Sequence, residues 1–171
     1  DLVPMTSDSN RRRFLETAAG SAAFTIVPRH VLGGAGMVAP SDKITLAYIG
    51  VGTQGLREML PLLANQEIQI VSVCDPSKEA VEYRDWSRDG LLNGIRKTLG
   101  KPDWGAGFEG VIPGGRDIGK NVVETYYAKN RPGGQYKGCS SYADYRELLD
   151  REKDLNAVKV MTPDHSHGII C

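Results

Sequence analysis

The sequence predicts an α/β fold built on a parallel sheet, and three observations carry that expectation. β-rich apolar runs alternate with helix-periodic stretches from about residue 43 onward. A full G-x-G-x-x-G, Gly50-Val51-Gly52-Thr53-Gln54-Gly55, lies between the first such run and the first helical stretch. An acid, Asp75, closes the second run 25 residues after Gly50.

The elements follow in order. Ile44-Thr45-Leu46-Ala47-Tyr48-Ile49 reads as a buried strand ended by Gly50. From Gly55 to Asn65, Leu56, Met59, Leu60 and Leu63 mark one face of a helix. Pro61 lacks an N–H and clashes one turn back, so it is expected to kink that helix or end it early. Ile68 to Cys74 is a second strand, stopped by Asp75-Pro76, and Ser77 offers an N-cap for a helix running to about Arg84.

Residues 90–138 differ in composition. Twelve glycines fall there, with Pro102, Pro113 and Pro132, and only Ile118 to Lys129 reads as helical. The stretch reads as a long Gly-rich insertion with too few apolar residues for a core of its own. Ser141-Tyr142-Ala143-Asp144 then opens a short helix whose inward face is Tyr145, Leu148 and Leu149. Ala157 to Met161 is another strand, followed by Thr162-Pro163-Asp164-His165-Ser166-His167-Gly168. Strand–helix alternation of this kind gives a parallel sheet with helices on its faces and ligands at the carboxyl ends of the strands.

Composition narrows the function. At 171 residues the chain suits about one ordinary domain. Lys and Arg number 21 against 21 Asp and Glu, which excludes a broadly basic nucleic-acid binder. With 40% hydrophobic residues, wholesale disorder is not expected. No apolar run approaches the ~18–20 residues a bilayer span requires, so no stable membrane span is expected. Cys74, Cys139 and Cys171 form neither a disulfide framework nor a C-x-x-C site, and the first two read as small buried hydrophobes. Trp86 and Trp104 read as packing anchors or, in the loop, as a contact on another subunit. The chain starts at Asp1, with Met5 a candidate start, and stops at Cys171 just after Ile169-Ile170. It is expected to be part of a longer protein.

Residues 1–40 read as an address and a linker. Asn10-Arg11-Arg12-Arg13-Phe14-Leu15-Glu16 precedes a weakly apolar stretch from Ala18 to Val27, broken by Pro28-Arg29-His30. The segment resembles a twin-arginine signal, S/T-R-R-x-F-L-K, in Arg11, Arg12, Phe14 and Leu15, and departs from it at Asn10 and Glu16. That resemblance implies recognition by the twin-arginine export machinery, a periplasmic or exported destination, and passage as a folded protein with its cofactor in place. The alternative is an amphipathic N-terminal helix with a solvated Arg run. Processing near residues 34–39, or none, stays open.

The glycine turn and its acid give the candidate site. Gly50 permits the tight turn, Gly52 lets a pyrophosphate approach the backbone, and Gly55 lets helix and strand pack closely. The helix N-terminus offers free N–H groups to phosphate. Asp75 stands where a carboxylate accepts from adenosine ribose hydroxyls, which favours NAD over NADP. Ser77, Lys78 and Arg84 behind it soften that preference. The alternative for Asp75-Pro76 is a strand-ending turn.

Two other motifs are weaker. Gly114-Gly115-Arg116-Asp117-Ile118-Gly119-Lys120-Asn121 nearly fits a P-loop but lacks the Mg²⁺-binding hydroxyl at Asn121, and reads as a glycine-rich loop entering a helix. His165 and His167 with Asp164 suggest a metal, yet the one other histidine, His30, lies in the signal segment, and no metal is expected.

Together these motifs resemble the glucose–fructose oxidoreductase/inositol dehydrogenase (Gfo/Idh/MocA) family. The resemblance is carried by Ile44 to Gly55, Val73-Cys74-Asp75-Pro76, Tyr142 to Leu149, and above all Val160 to His167, which is similar to the family's T-P-D-H-x-H segment. It implies a Rossmann-type NAD-binding domain, incomplete here, followed by a C-terminal α/β domain that binds substrate and often makes a homo-oligomer. It also implies that the family's E-K-P motif, with its catalytic lysine, lies beyond Cys171. The resemblance assigns Gly50, Gly52, Thr53, Gln54 and Gly55 to the pyrophosphate, Asp75 to the ribose, and Thr162 and Pro163 to positions along the cofactor. It places His167 near the nicotinamide, with His165 a weaker neighbour.

Three functions remain distinct at this level. The first is an NAD(P)-dependent oxidoreductase acting on a sugar, inositol or related polyol. The second is a glycosidase of the same family that uses bound NAD for transient oxidation. The third is a catalytically incomplete nucleotide-binding fragment whose last strand is an exposed edge.

Overall fold

The computed structural model describes residues 42–83, 87, 89–108, 111–129, 131 and 133–171. The export-signal segment, Arg84 and Trp86 lie outside the described residues. The order of elements is β1 (Ile44–Ile49), α1 (Thr53–Ala64), β2 (Ile68–Cys74), β3 (Ala80–Tyr83), α2 (Gly90–Leu99), β4 (Ile112–Gly114), α3 (Arg116–Lys129), β5 (Ser140–Tyr142), α4 (Tyr145–Arg151), β6 (Ala157–Val160) and α5 (Asp164–Ile170).

Four strands form one parallel sheet in the order β5-β2-β1-β6. Ile49 pairs with Cys74 on one side and with Val160 on the other, so the carboxyl ends of three strands finish level. The chain leaves β1 toward β2 on one side and later returns to β6 on the other. The strand order therefore reverses beside β1, and such a switch point opens a crevice at the carboxyl edge. This is a Rossmann-like α/β fold.

Alternation along β1 divides the core. Leu46 and Tyr48 join a large cluster with Leu56, Met59 and Leu63 of α1, Leu91, Ile95 and Leu99 of α2, and Val122 and Val123 of α3. Ala47 and Ile49 join a small cluster on the opposite face with Cys74 and Leu148 of α4. This period-2 split matches a strand buried on both faces of a parallel sheet. Leu149, expected to point inward with Tyr145 and Leu148, is instead exposed, because α4 is short and Leu148 alone is fully buried from it. Cys74 and Cys139 are buried, as read from the sequence, and Trp104 packs against the large cluster.

Pro61 does not end α1 early; the helix runs on to Ala64 with Pro61 on its exposed face. The buried stripe of Leu56, Met59 and Leu63 holds the last turn against the sheet despite the lost amide.

The helix expected from Ser77 to about Arg84 is absent. Ala80–Tyr83 is a strand, antiparallel to β4, with Ala80 opposite Gly114 and Tyr83 opposite Ile112. The cause is long-range: the carbonyls of Asp75, Pro76, Ser77 and Lys78 all accept hydrogen bonds from residues 116–117, which hold the segment extended.

The insertion also departs from expectation. Besides α3 it contains α2, whose Leu91, Leu92, Ile95 and Leu99 are buried. Gly100 closes α2 in the left-handed region at φ 68°, and Lys101 N–H returns to the Arg96 carbonyl at 3.1 Å. This is a Schellman-type stop. Among the described residues the insertion builds no separate core; its apolar side chains complete the main one. Where three-residue β5 is too short to pair the start of β2, the Ile70 N–H donates to the Tyr127 hydroxyl of α3 at 3.0 Å. β6 is an edge strand, with Val158 exposed. No helix among the described residues is long and apolar enough to cross a membrane.

Candidate functional site

The site begins where β1 ends. Gly50 turns the chain at φ +93°, a conformation that costs little only for glycine. A Cβ there would lie 2.7 Å from both the carbonyl carbon and oxygen of Met161. The turn is held from both neighbouring strands: Gly50 N–H donates to the Cys74 carbonyl at 2.8 Å, and Met161 N–H donates to the Ile49 carbonyl at 2.6 Å. A Cβ on Gly55 would collide with the Gly50 carbonyl oxygen, so the first turn of α1 is packed directly on the glycine turn.

Gly52 is the N-cap of α1, with extended backbone and no side-chain cap. The amides of Thr53, Gln54 and Gly55 belong to the first turn and have no intrahelical acceptor. All three residues line the same cleft. Uncapped amides at the positive end of a 12-residue helix can donate to an anion.

Asp75 is 6% exposed, and both carboxylate oxygens are engaged. Oδ2 accepts from Val51 N–H at 2.8 Å, and Oδ1 accepts from Ser77 N–H at 2.9 Å. The acid thus ties the glycine turn to the loop after β2. It still lines the cleft, and each oxygen keeps a second lone pair.

The cleft encloses about 930 Å³, within the range of small-molecule and cofactor sites. It brings together Gly50, Gly52, Thr53, Gln54, Gly55, Asp75, Thr162, Pro163 and His167. His165 is exposed and is not among the lining residues. The His167 Nε2 lies 2.9 Å from the Thr162 carbonyl. A carbonyl can only accept, so Nε2 carries the hydrogen and Nδ1 is the acceptor of the neutral ring. Thr162 Oγ1 is buried with no hydrogen-bond partner among the described residues. A hydroxyl in that position suits a polar ligand atom, since an unmet buried donor is costly.

One wall of the cleft, and a residue that braces it from behind, are not among the candidate site residues assigned from the sequence. The far wall is Ala143, Asp144, Tyr145 and Arg146. Asp144 caps α4 by accepting from Arg146 N–H at 2.8 Å, and the Arg146 guanidinium lies 4.5 Å from the Tyr145 ring centroid. That pair offers a flat surface to a heteroaromatic ring. The Tyr-Arg pair at 145–146 is present in the sequence, where it counts toward the short helix and the family resemblance but is given no site role. Behind the cleft and outside its lining, Arg116 is half-buried, and its Nη1 donates to the carbonyls of Asp75 at 3.0 Å and Pro76 at 2.8 Å. The near-P-loop around it enters a helix as expected but is not a loop: Gly114 ends β4, Gly115 alone makes the turn at φ +102°, and α3 starts at Arg116. Asn121 accepts from Trp104 Nε1 at 3.0 Å.

Cys74 also lines the cleft. Burial first, then the charges of Asp75 and Asp144, push its thiol up to about 11. At neutral pH it is a protonated wall residue without nucleophilic character. Among the described residues no three His, Cys, Asp or Glu side chains converge as a metal site.

Compared with known proteins, the chain matches no family model and no curated protein.

Proposed function

We propose that this cleft holds a nicotinamide dinucleotide, NAD in preference to NADP. In this reading the protein is an oxidoreductase that moves hydride between the cofactor and a sugar, inositol or related polyol. One observation carries it: the uncapped amides after Gly52, the acid Asp75 and the Thr162–His167 segment open into a single cleft at the strand-order switch point.

Each residue then has a task. The amides of Thr53, Gln54 and Gly55 would hold the pyrophosphate, and Gly50 and Gly55 keep the backbone close enough for it to approach. Asp75 would accept from a ribose hydroxyl on its remaining lone pairs, and its negative charge opposes a 2′-phosphate. Thr162 Oγ1 would give its unmet hydrogen bond to the ligand. His167, oriented by the Thr162 carbonyl, would present Nδ1 near the nicotinamide end. A bound nicotinamide would supply the hydride acceptor or donor.

The substrate class rests on the likeness of Val160 to His167 to the T-P-D-H-x-H segment, as do homo-oligomer formation and the catalytic lysine of a following segment. Export by the twin-arginine route rests on Arg11, Arg12, Phe14 and Leu15.

The test is a cofactor extraction followed by turnover. The purified full-length protein is heat-denatured and the supernatant assayed for NAD(H) and NADP(H). The protein is then offered sugars, inositols, polyols and aryl glycosides. Released or added NAD, with net NADH formed from a free sugar or polyol, is the expected outcome. Aglycone release without net NADH would replace the dehydrogenase with a glycosidase, and absence of any nicotinamide dependence would end the reading.

A further inference from the structure

The insertion grips the loop that carries Asp75. The carbonyls of four consecutive residues, 75–78, all face it. Arg116 Nη1 takes those of Asp75 and Pro76, Arg116 N–H takes that of Ser77 at 3.0 Å, and Asp117 N–H takes that of Lys78 at 3.0 Å. The same strap reaches the glycine turn, where Gly115 N–H donates to the Val51 carbonyl at 2.8 Å. Neither contact leaves room: a Cβ on Gly115 would lie 2.8 Å from the Ser77 and Lys78 oxygens, and one on Gly119 would lie 2.6 Å from Val51 Cγ1.

These contacts serve both the start of α3 and the loop it meets. Its first amides find acceptors in the loop, so the helix start needs no side-chain cap. In return, the loop is locked with its carbonyls turned toward the insertion, and Asp75 is left fixed between Val51 N–H and Ser77 N–H. Without Arg116 two carbonyls lose a charged donor, the stronger kind of hydrogen bond. The backbone donors at 116 and 117 would remain, so the fold would keep its anchor while the Asp75–Pro76 peptide gained freedom.

We infer that Arg116 is a positioning residue of the nucleotide site: through the Asp75 and Pro76 carbonyls it presets the loop that receives the adenosine ribose. This rests on the dinucleotide reading of the cleft. It gives the insertion a task, preorganisation of one end of the ligand site, which removes the cost of ordering that loop on binding.

The experiment compares the full-length protein with Arg116→Met and Arg116→Lys, using ADP-ribose and nicotinamide mononucleotide as probes in calorimetry or ligand-observed NMR. One nitrogen makes both bonds, so a lysine ammonium can replace it in part. The expected result is a Kd for ADP-ribose raised about tenfold or more by Arg116→Met and about threefold or less by Arg116→Lys, with the mononucleotide within about twofold throughout. Equal losses for both probes, or an unchanged ADP-ribose Kd, would overturn the inference while leaving the dinucleotide reading intact. Loss of the fold in both variants would also overturn it. Failure of the unaltered protein to bind ADP-ribose at all would overturn the dinucleotide reading and the inference with it.

Discussion

Asp75 Oδ2 accepts the Val51 N–H at 2.8 Å in a buried contact that spans 24 residues. This bond fastens the glycine turn after β1 to the loop after β2. The residue that the sequence singles out for a ligand is therefore also a structural clasp. A carboxylate can do both because its two oxygens offer about four acceptor sites.

Replacing Asp75 by Ala removes the acceptor for Val51 N–H and leaves a buried amide unpaired. We expect a loss of about 1–3 kcal/mol, read as a lower urea midpoint with an unchanged slope. Asp75→Asn keeps one oxygen and should lose about half as much. A midpoint unaffected by Asp75→Ala would contradict the clasp.

Gly50 and Gly107 separate backbone strain from crowding. Both have positive φ, +93° and +98°. A Cβ at Gly107 meets nothing within 4 Å, whereas at Gly50 it overlaps the Met161 backbone. Gly107→Ala should cost the left-handed penalty alone, about 1–2 kcal/mol. Gly50→Ala should cost more and abolish nucleotide binding. Equal costs in chemical denaturation would show that the approach of β1 to the turn after β6 carries no constraint.

High pH should unfold the protein early. Burial pushes the Cys74 thiol up to about 11, the Cys139 thiol up to about 12 and the Tyr127 hydroxyl up to about 12. Each group is more readily deprotonated in the unfolded chain, so above the unfolded thiol value, about 8.5, the folded state holds more protons. Stability is then complete below that value and falls as pH rises toward 12. The expected Tm profile is flat from pH 7 to about 8.5 and declines beyond it, less steeply in Cys139→Ala. A Tm unchanged to pH 11 would refute the burial of these groups.

The insertion should unfold together with the sheet. Ile95 is fully buried in the same cluster as Tyr48 and Met59. Ile95→Ala should lower the single transition by about 2–5 kcal/mol. A separate early transition, with the sheet's stability unchanged, would mean that the insertion is an independent appendage.

Much of this was legible in the sequence because its causes are local. The runs Ile44–Ile49 and Ile68–Cys74 became β1 and β2, and the Leu56-Met59-Leu63 stripe became the buried face of α1. The candidate cleft was nearly complete as well, since the carboxyl ends of adjacent parallel strands bring Gly50, Asp75 and Thr162 together whatever lies between them. His165 fell outside because the short α5 places it on an exposed side.

What could not be read was long-range. Ser77 looked like a helix cap, but its segment is held extended by donors some 40 residues away in Arg116 and Asp117. The stripe Leu91, Leu92, Ile95 and Leu99 was present, yet the surrounding glycines Gly90, Gly94 and Gly100 disguised α2. Gly100 turned out to stop the helix, which is where glycine is favoured. The insertion looked too poor for a core because the core it serves belongs to the sheet.

The most direct test of the account is a calorimetric titration of the full-length protein with NAD and NADP, repeated with Gly55→Val. A Val side chain would collide with the Gly50 carbonyl oxygen and displace the first amides of α1. The account predicts saturable 1:1 binding of NAD with a Kd of about 1–100 μM, weaker binding of NADP, and loss of both in Gly55→Val. No saturation by NAD up to about millimolar, or a Gly55→Val protein that binds as well as the original, would contradict it.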